Sequence, residues 1–239
     1  MIIWNGVSSE SVDVIVQHYP ARMLPSRKIE KVSVPGRNGD LIFSQDAFEN
    51  IEQEYDIAIS ANTLNLMSTS IRVGQWLLGP KGYCELEDSY DPDIYRLAYY
   101  TGSLDIVNIL NLAGTANIKF NCKPQRFLKA YKNKWVTFNE QTDEFINPTK
   151  FISLPLIRIL GSGRCDANVG GYDISVTDVN GYVDIDCELM DCFCGNINMN
   201  GNTTLGSLNS FPKLQAGKNN VSFSRGTTAV KIQPRWWIL

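Results

Sequence analysis

The sequence predicts a mainly β protein of two domains that carries a single α-helix, and three observations predict it. Apolar residues alternate at period two in short runs along most of the chain, the signature of half-buried strands. Only one stretch, residues 63–78, repeats apolar residues at helical spacing. Beyond a lysine-rich stretch at residues 129–134, glycine and asparagine turns multiply and helix signals vanish. The boundary is therefore placed between a first domain, residues 1–128, and a second, residues 129–239. A chain of 239 residues with 44% hydrophobic content can bury a core in each.

In the first domain, residues 2–7 and 12–16 read as two short strands separated by Gly6 and a serine cluster. Residues 19–26, with Pro20 and Pro25, read as irregular chain leading into a hairpin at residues 29–44. In that hairpin Asn38-Gly39 is suited to the two positive-φ positions of a tight primed turn. Pro35 prefers a strand end, and Gly36 relieves the backbone beside it. Ile51, Gln53, Tyr55, Ile57 and Ile59 then share one face of a strand, while Glu52, Glu54 and Asp56 share the other, which must be wet or meet a basic partner.

The helix over residues 63–78 places Leu64, Met67, Ile71 and Leu78 on its predicted buried stripe, widened by Trp76 and Leu77. Gly79-Pro80 stops it. Four short strands follow, at residues 83–86, 95–100, 104–110 and 115–122, so the helix has a β layer to pack on.

In the second domain a strand over residues 154–160 is expected to end at Gly161-Ser162-Gly163. Tyr172, Ile174 and Val176 share a face, Asn180-Gly181 turns the chain, and Val183, Ile185 and Cys187 share a face on the return. Residues 195–209 are asparagine-rich and read as an exposed loop with a turn at Asn200-Gly201. The last strand, about residues 229–239, sets Val230, Ile232, Trp236 and Ile238 on one side, and Pro234 marks an edge or a bulge. Trp236 and Trp237 are too large and apolar to fray in water, so docking of this terminal segment is expected. It would either complete the second domain or return toward the first.

Composition excludes several function classes. The net charge of −3 carries both signs interspersed, so the basic stripe that holds a phosphate backbone is missing and nucleic-acid recognition is not expected. No apolar run is long enough to span a bilayer, and Met1-Ile2-Ile3-Trp4-Asn5-Gly6 does not resemble a signal segment; a soluble product is expected. The six cysteines read as reduced thiols. Cys187, Cys192 and Cys194 lack the spacing of a zinc site, so neither a metal nor a cofactor is expected.

Enzymatic chemistry has no carrier in this sequence. The one histidine, His18, has no neighbouring nucleophile, and no phosphate-cradling glycine loop is present. Asp184, Asp186 and Glu188 lie at period two on a strand. Three like charges repel, which suits a solvated outer face better than a glycosidase pair. Glu87, Asp88, Asp91 and Asp93 could ligate calcium, but residues 88–93 lack the glycine and distant glutamate of a calcium loop. No catalytic residue is assigned.

Several pieces, taken in order, resemble a known family. Ile2-Ile3-Trp4-Asn5-Gly6-Val7-Ser8-Ser9 followed by Val32-Ser33-Val34-Pro35-Gly36-Arg37-Asn38-Gly39 is similar to the N-terminus of the distal tail proteins (Dit) of long, non-contractile-tailed bacteriophages. Trp76-Leu77-Leu78 before Gly82-Tyr83, the strand from Asp91-Pro92-Asp93 to Tyr100, and Lys119-Phe120-Asn121-Cys122-Lys123-Pro124-Gln125-Arg126-Phe127 agree with it. So do Asn147-Pro148 before Leu154-Pro155-Leu156-Ile157, and the ending Ala216-Gly217-Lys218-Asn219 with Pro234-Arg235-Trp236-Trp237. The resemblance spans essentially the whole chain.

The resemblance implies a virion structural protein of the tail tip, made and assembled in the bacterial host cytoplasm. Its first domain would form a homo-hexameric ring, and its second would be a galectin-like or carbohydrate-module-like β-sandwich. The ring would join the tail tube protein to a tail-associated baseplate or fibre protein and leave a channel for DNA. A closed ring needs two different surface patches meeting at each joint, and a hairpin edge can add to a neighbour's sheet. Val32, Val34, Gly36, Arg37, Gly39, Ile42 and Phe43 of the hairpin, with Ile57 and Ile59 of the following strand, are the expected joint. Two other classes stay open: a carbohydrate-binding host-adhesion module acting on host-wall sugar, and a wall hydrolase.

Overall fold

A computed structural model describes residues 1–60, 66–100, 102, 106–109, 113–206 and 210–239, with the side chains of Asp46, Leu66 and residues 107–109 left aside. The chain divides into two compact units, Met1–Arg126 with Leu239, and Phe127–Ile238.

The strands of the first unit are β1 (Ile2–Trp4), β2 (Val7–Ser8), β3 (Val14–Val16), β4 (Arg27–Val32), β5 (Leu41–Phe48) and β6 (Ile51–Ser60). After helix α1 (Leu66–Leu78) come β7 (Cys84–Asp88), β8 (Ile94–Tyr100), β9 (Val107–Ile109) and β10 (Ala113–Leu128). The main sheet runs β2-β1-β7-β8-β10-β6-β3, with β9 also on β10. Asn5 and Gly6 both take positive φ, 48° and 79°, and make the two-residue turn between β1 and β2. On β6 the predicted alternation holds: Ile51, Gln53, Tyr55, Ile57 and Ile59 face inward, and Glu52, Glu54 and Asp56 outward. Phe120 sits at the middle of the core, its ring 4.9 Å from Trp4, 5.6 Å from Tyr100 and 6.2 Å from Tyr55.

Helix α1 buries the Trp76 and Leu77 edge of the stripe its sequence suggests, and not the centre of that stripe. Thr69, Val73, Trp76 and Leu77 are buried, whereas Met67, Ile71 and Leu78 lie in solvent, Met67 at 72% exposure. The apolar stripe is wide enough to leave two possible faces. The β layer selects the one carrying Trp76, whose indole N–H donates to Val7 O at 3.3 Å, while the Trp4 indole donates to Leu77 O at 3.4 Å. Leu64 and the start of the predicted helix lie outside the described residues, as does part of the strand expected at 104–110. The helix ends before Gly79, where a Cβ would stand 2.6 Å from Gln75 O; close approach, and not a left-handed φ, explains the glycine.

One buried ionic network holds the edge of this core. Asp88 accepts from the Tyr55 hydroxyl at 2.8 Å and from Arg96 Nη1 at 3.3 Å, and its other oxygen accepts the N–H groups of Tyr90 and Asp91, each at 2.9 Å. Burial first, and the Asp88 charge second, push the Tyr55 phenol well above its ordinary pKa. The irregular segment at residues 17–26 is tied to the same region. Arg126 donates to Met23 O at 2.7 Å, Gln53 to Ala21 O at 3.2 Å, and Tyr19 to Tyr90 O at 3.1 Å.

The second unit contains β11 (Val136–Phe138), β12 (Thr142–Asn147), β13 (Leu156–Val169), β14 (Tyr172–Asp186), β15 (Asp191–Cys194), β16 (Ile197–Asn198), β17 (Thr203–Leu205), β18 (Gly217–Ser224), β19 (Thr227–Gln233) and β20 (Trp237–Ile238). Two long strands organise it. β13 and β14 pair from Leu156↔Asp186 to Val169↔Tyr172, turning at Gly170-Gly171, both at positive φ. One half of this ribbon is flanked by β19 and β15, the other by β18 and β17. The inner faces of both halves share one core, including Ile157, Ile159, Val176, Val183, Ile185, Val221, Val230 and Ile232, which makes the unit a β-sandwich.

Three sequence expectations are corrected here. Gly161-Ser162-Gly163 does not end a strand, and Asn180-Gly181 does not turn one; the two segments pair with each other inside β13 and β14. A bulge follows, with Asp178 at φ 58°, and it shifts the inward parity of β14 from Ile174 and Val176 to Val183 and Ile185. Gly161 is there because a Cβ would stand 2.1 Å from Gly226 O, in the primed turn Arg225-Gly226 that joins β18 to β19. Likewise Asp184 and Asp186 are not solvated. Asp184 binds Arg158 in a two-bond fork at 2.6 and 2.7 Å, and Asp186 binds Arg235 in another at 2.8 and 2.8 Å. Each carboxylate found an arginine that sequence spacing does not reveal.

Candidate assembly surface

Between β3 and β6 the chain leaves the main sheet and makes a ribbon of its own. Among the described residues β4 and β5 pair only with each other, in the register Ile29↔Ser44, Glu30↔Phe43, Lys31↔Ile42 and Val32↔Leu41, and Glu49 N–H donating to Ser26 O at 2.9 Å closes the base. Alternation along both strands puts Glu30, Val32, Leu41 and Phe43 on one face and Ile29, Lys31, Ile42 and Ser44 on the other. Neither face is covered: Ile42 is 63% and Phe43 56% exposed, and Ile29 and Val32 are exposed too. Farther down, the Arg27 guanidinium lies 5.1 Å from the centre of the Phe48 ring.

The tip differs from the tight turn expected from Asn38-Gly39. Eight residues, 33–40, separate the strands, and the turn that closes is Val34-Pro35-Gly36-Arg37, with Arg37 N–H on Val34 O at 3.1 Å and Gly36 at φ 79°. Proline at the second position and a positive-φ glycine at the third are the chemistry of a type II turn. Gly39 takes φ 81° while Asn38 stays outside the positive-φ region.

The predicted joint residues therefore fall into two groups. Val32, Val34, Gly36, Arg37, Gly39, Ile42 and Phe43 are gathered on one ribbon. Ile57 and Ile59 are both at 0% exposure in the first unit's own core, where their side chains are spent on that core. What β6 offers outward is its acidic face: Glu54 with Lys119 at 2.7 Å, Glu52 with the same lysine at 3.8 Å, and Asp56 accepting from Asn117 at 2.8 Å. The ribbon contributes Arg27, Lys28, Lys31 and Arg37, all exposed. Ile29 and the exposed helix residues Met67, Ile71 and Leu78 were missed as surface groups, because a short apolar period alone does not say which side faces water.

At the other end of the chain, Trp236 is 2% exposed in the core of the second unit, 5.9 Å from the Phe145 ring, and its carbonyl accepts Leu128 N–H at 3.0 Å. Trp237 stacks on Phe151 at 4.4 Å and donates to Ile152 O at 2.9 Å. The thiols of Cys187 and Cys192 point into the same core, and burial pushes both above the ordinary thiol range. His18 is exposed.

Comparison with solved structures gives the architecture a counterpart. The fold is that of a phage distal tail protein. SPP1 Dit superposes with a TM-score of 0.73 over 97% of this chain and 97% of its own, at 14% sequence identity. That protein is described as a paradigm of the hub adsorption apparatus in phages infecting Gram-positive bacteria. No family model and no curated protein matches the chain. The Dit-like fold thus extends over both units at low sequence identity.

Proposed function

We propose that this protein is a structural hub of a phage tail tip. It forms a homo-hexameric ring that joins the tail tube to a baseplate or tail-associated fibre protein and leaves a channel for DNA. It has no catalytic role in this account. The observation that carries the proposal is the likeness to SPP1 Dit over 97% of both chains, since a hub role is what that neighbour is described as having.

The ribbon β4–β5 supplies the physical argument for assembly. An isolated two-stranded hairpin is marginally stable in water at best. This one exposes Ile29, Val32, Ile42 and Phe43 on two faces. Such a ribbon becomes stable when a neighbour covers it. In the ring, its apolar groups and its Arg27, Lys28, Lys31 and Arg37 meet the next copy, whose outward β6 residues Glu52, Glu54 and Asp56 complement the charge. The joint is then heterologous, as ring closure requires.

Immunogold labelling of intact virions with antibodies raised against this chain tests the placement. Label confined to the tail tip is expected; label along the tube, on the capsid, or on no virion contradicts it.

A further inference from the structure

The second unit carries a trough of about 480 Å3 on the outer face of strands β12, β18, β13, β14 and β17. Register places short polar side chains across it in two rows. Ser224, Asp166, Ser175 and Thr204 stand opposite one another from β18 to β17. Thr142, Ser222, Asn168 and Asp173 make the second row, two residues along each strand. Beneath them the opposite faces of the same strands are buried, with Cys165, Ala167, Val169, Ile174 and Val221 in the core, so the polar floor is held rigidly.

Half of this polar set is fixed by hydrogen bonds among its own members and to the residues beside them. Asp166 Oδ1 accepts from Ser175 Oγ at 2.6 Å and from Arg164 Nε at 3.1 Å, and Arg225 Nε lies 3.9 Å from its second oxygen. The Ser175 hydrogen bond above all, with the two arginines, holds the Asp166 carboxyl below its ordinary range. Asn168 Nδ2 donates to Asp173 Oδ1 at 2.7 Å and its Oδ1 accepts Gly171 N–H at 3.2 Å. By contrast, the hydroxyls of Thr142, Thr204, Ser222 and Ser224 take no hydrogen bond among the described residues. The same holds for the Gln141 side chain, also in the lining.

The geometry points to this trough as a binding site for a neutral saccharide. Two carboxylates, Asp166 and Asp173, are balanced by Arg164 and Arg225, so the floor favours neither a phosphate nor a cation. A dense mixture of donors and acceptors, part of it unbonded hydroxyls, suits a ligand whose every hydroxyl both gives and takes a hydrogen bond. The volume is within the range of about 300–1,000 Å3 that small-molecule sites occupy. Phe223, the one aromatic residue among the described lining residues, has its side chain in the core, so none of them offers a sugar a ring to stack on. A single site is then weak, with a Kd of about 1 mM or above. Copies of the site on one assembly gain by avidity. The inference stands on the second unit alone and holds whether or not the chains form rings.

The test uses the full-length protein and saturation-transfer NMR with glucose, galactose, rhamnose, N-acetylglucosamine and N-acetylgalactosamine as separate probes. The same sugars on a polyacrylamide carrier are then measured by biolayer interferometry. Signal from at least one sugar is expected, with affinity reduced about tenfold or more by Asn168→Ala. Ser224→Tyr fills the trough without removing the Asp166 ion pairs and is expected to do the same, with unchanged circular dichroism. Silence from all five sugars overturns the inference, as does binding that Ser224→Tyr and Asn168→Ala leave unchanged. Displacement of the bound sugar by inorganic phosphate at equal concentration also overturns it, since that would make the site an anion site.

Discussion

Replacing Ile42 and Phe43 together by serine should separate assembly from folding. Ile42 is 63% and Phe43 56% exposed in the single chain, which leaves about 100 Å2 of each in water for a neighbour to cover. At about 25 cal/mol per Å2 the pair is worth up to about 5 kcal/mol per joint, or roughly a thousandfold or more in the concentration at which copies associate. The figure is an upper bound, because coverage in a joint is incomplete and ordering the ribbon has its own cost. Neither side chain contributes to the core of the single chain, so thermal unfolding of the monomer should move by no more than about 0.5 kcal/mol. Sedimentation velocity across a concentration series measures the first quantity and differential scanning calorimetry the second. An association midpoint equal to that of the unmodified chain would refute the argument that the ribbon's apolar faces hold the joint.

Other expectations follow from the same geometry. Gly39→Val puts a β-branched residue at φ 81°, with nothing within 4 Å of the new Cβ, so it should strain the ribbon tip by about 1–2 kcal/mol and impair assembly while leaving far-ultraviolet circular dichroism unchanged. Asp186→Asn removes the two-bond fork on Arg235 and leaves it Glu188 at 3.6 Å, so it should cost about 1–3 kcal/mol in the second unit, read as a lower unfolding midpoint. Burial alone would raise the Asp186 pKa, but Arg235 and the N–H groups of Leu189 and Glu188 outweigh it and hold the carboxyl below its ordinary value. Its stabilisation is therefore fully present above the unfolded carboxylate pKa and lost as pH falls through the lower folded pKa. Acid unfolding below about pH 4 should be shallower in the Asp186→Asn variant. Burial pushes the Cys122 thiol up to about 12, so a thiol reagent at pH 8 should modify half-buried Cys84 and Cys194 well before Cys122.

Strands that alternate strictly at period two were legible from sequence, and β6 is the clearest case: its alternation from Ile51 to Ile59 is reproduced residue by residue in the burial. Turn chemistry was legible only in part. Asn5-Gly6 turns the chain as such a pair should, yet Asn180-Gly181 lies within a long strand and Asn38-Gly39 within an eight-residue tip. The dipeptide permits a positive φ; whether a reversal follows depends on which distant strand pairs beside it. The primed turn at Arg225-Gly226 carried no such signal, and its necessity shows only in the contact with Gly161. Long-range charge partners were equally hidden, since Arg235 lies 49 residues from Asp186. The hairpin was visible as two strands about a turn, expected at Asn38-Gly39 and found at Pro35-Gly36, but its standing apart from the main sheet, which makes it a candidate joint, is a property of the fold.

The native mass of the full-length protein tests the hub account most directly. Mass spectrometry or light scattering under non-denaturing conditions should find six chains of 26.8 kDa, about 160 kDa, as a closed ring needs. Particles of that mass should fall to single chains in the Ile42→Ser, Phe43→Ser variant. A protein that stays at 26.8 kDa up to concentrations of about 100 μM, well above those at which specific interfaces form, would contradict the ring.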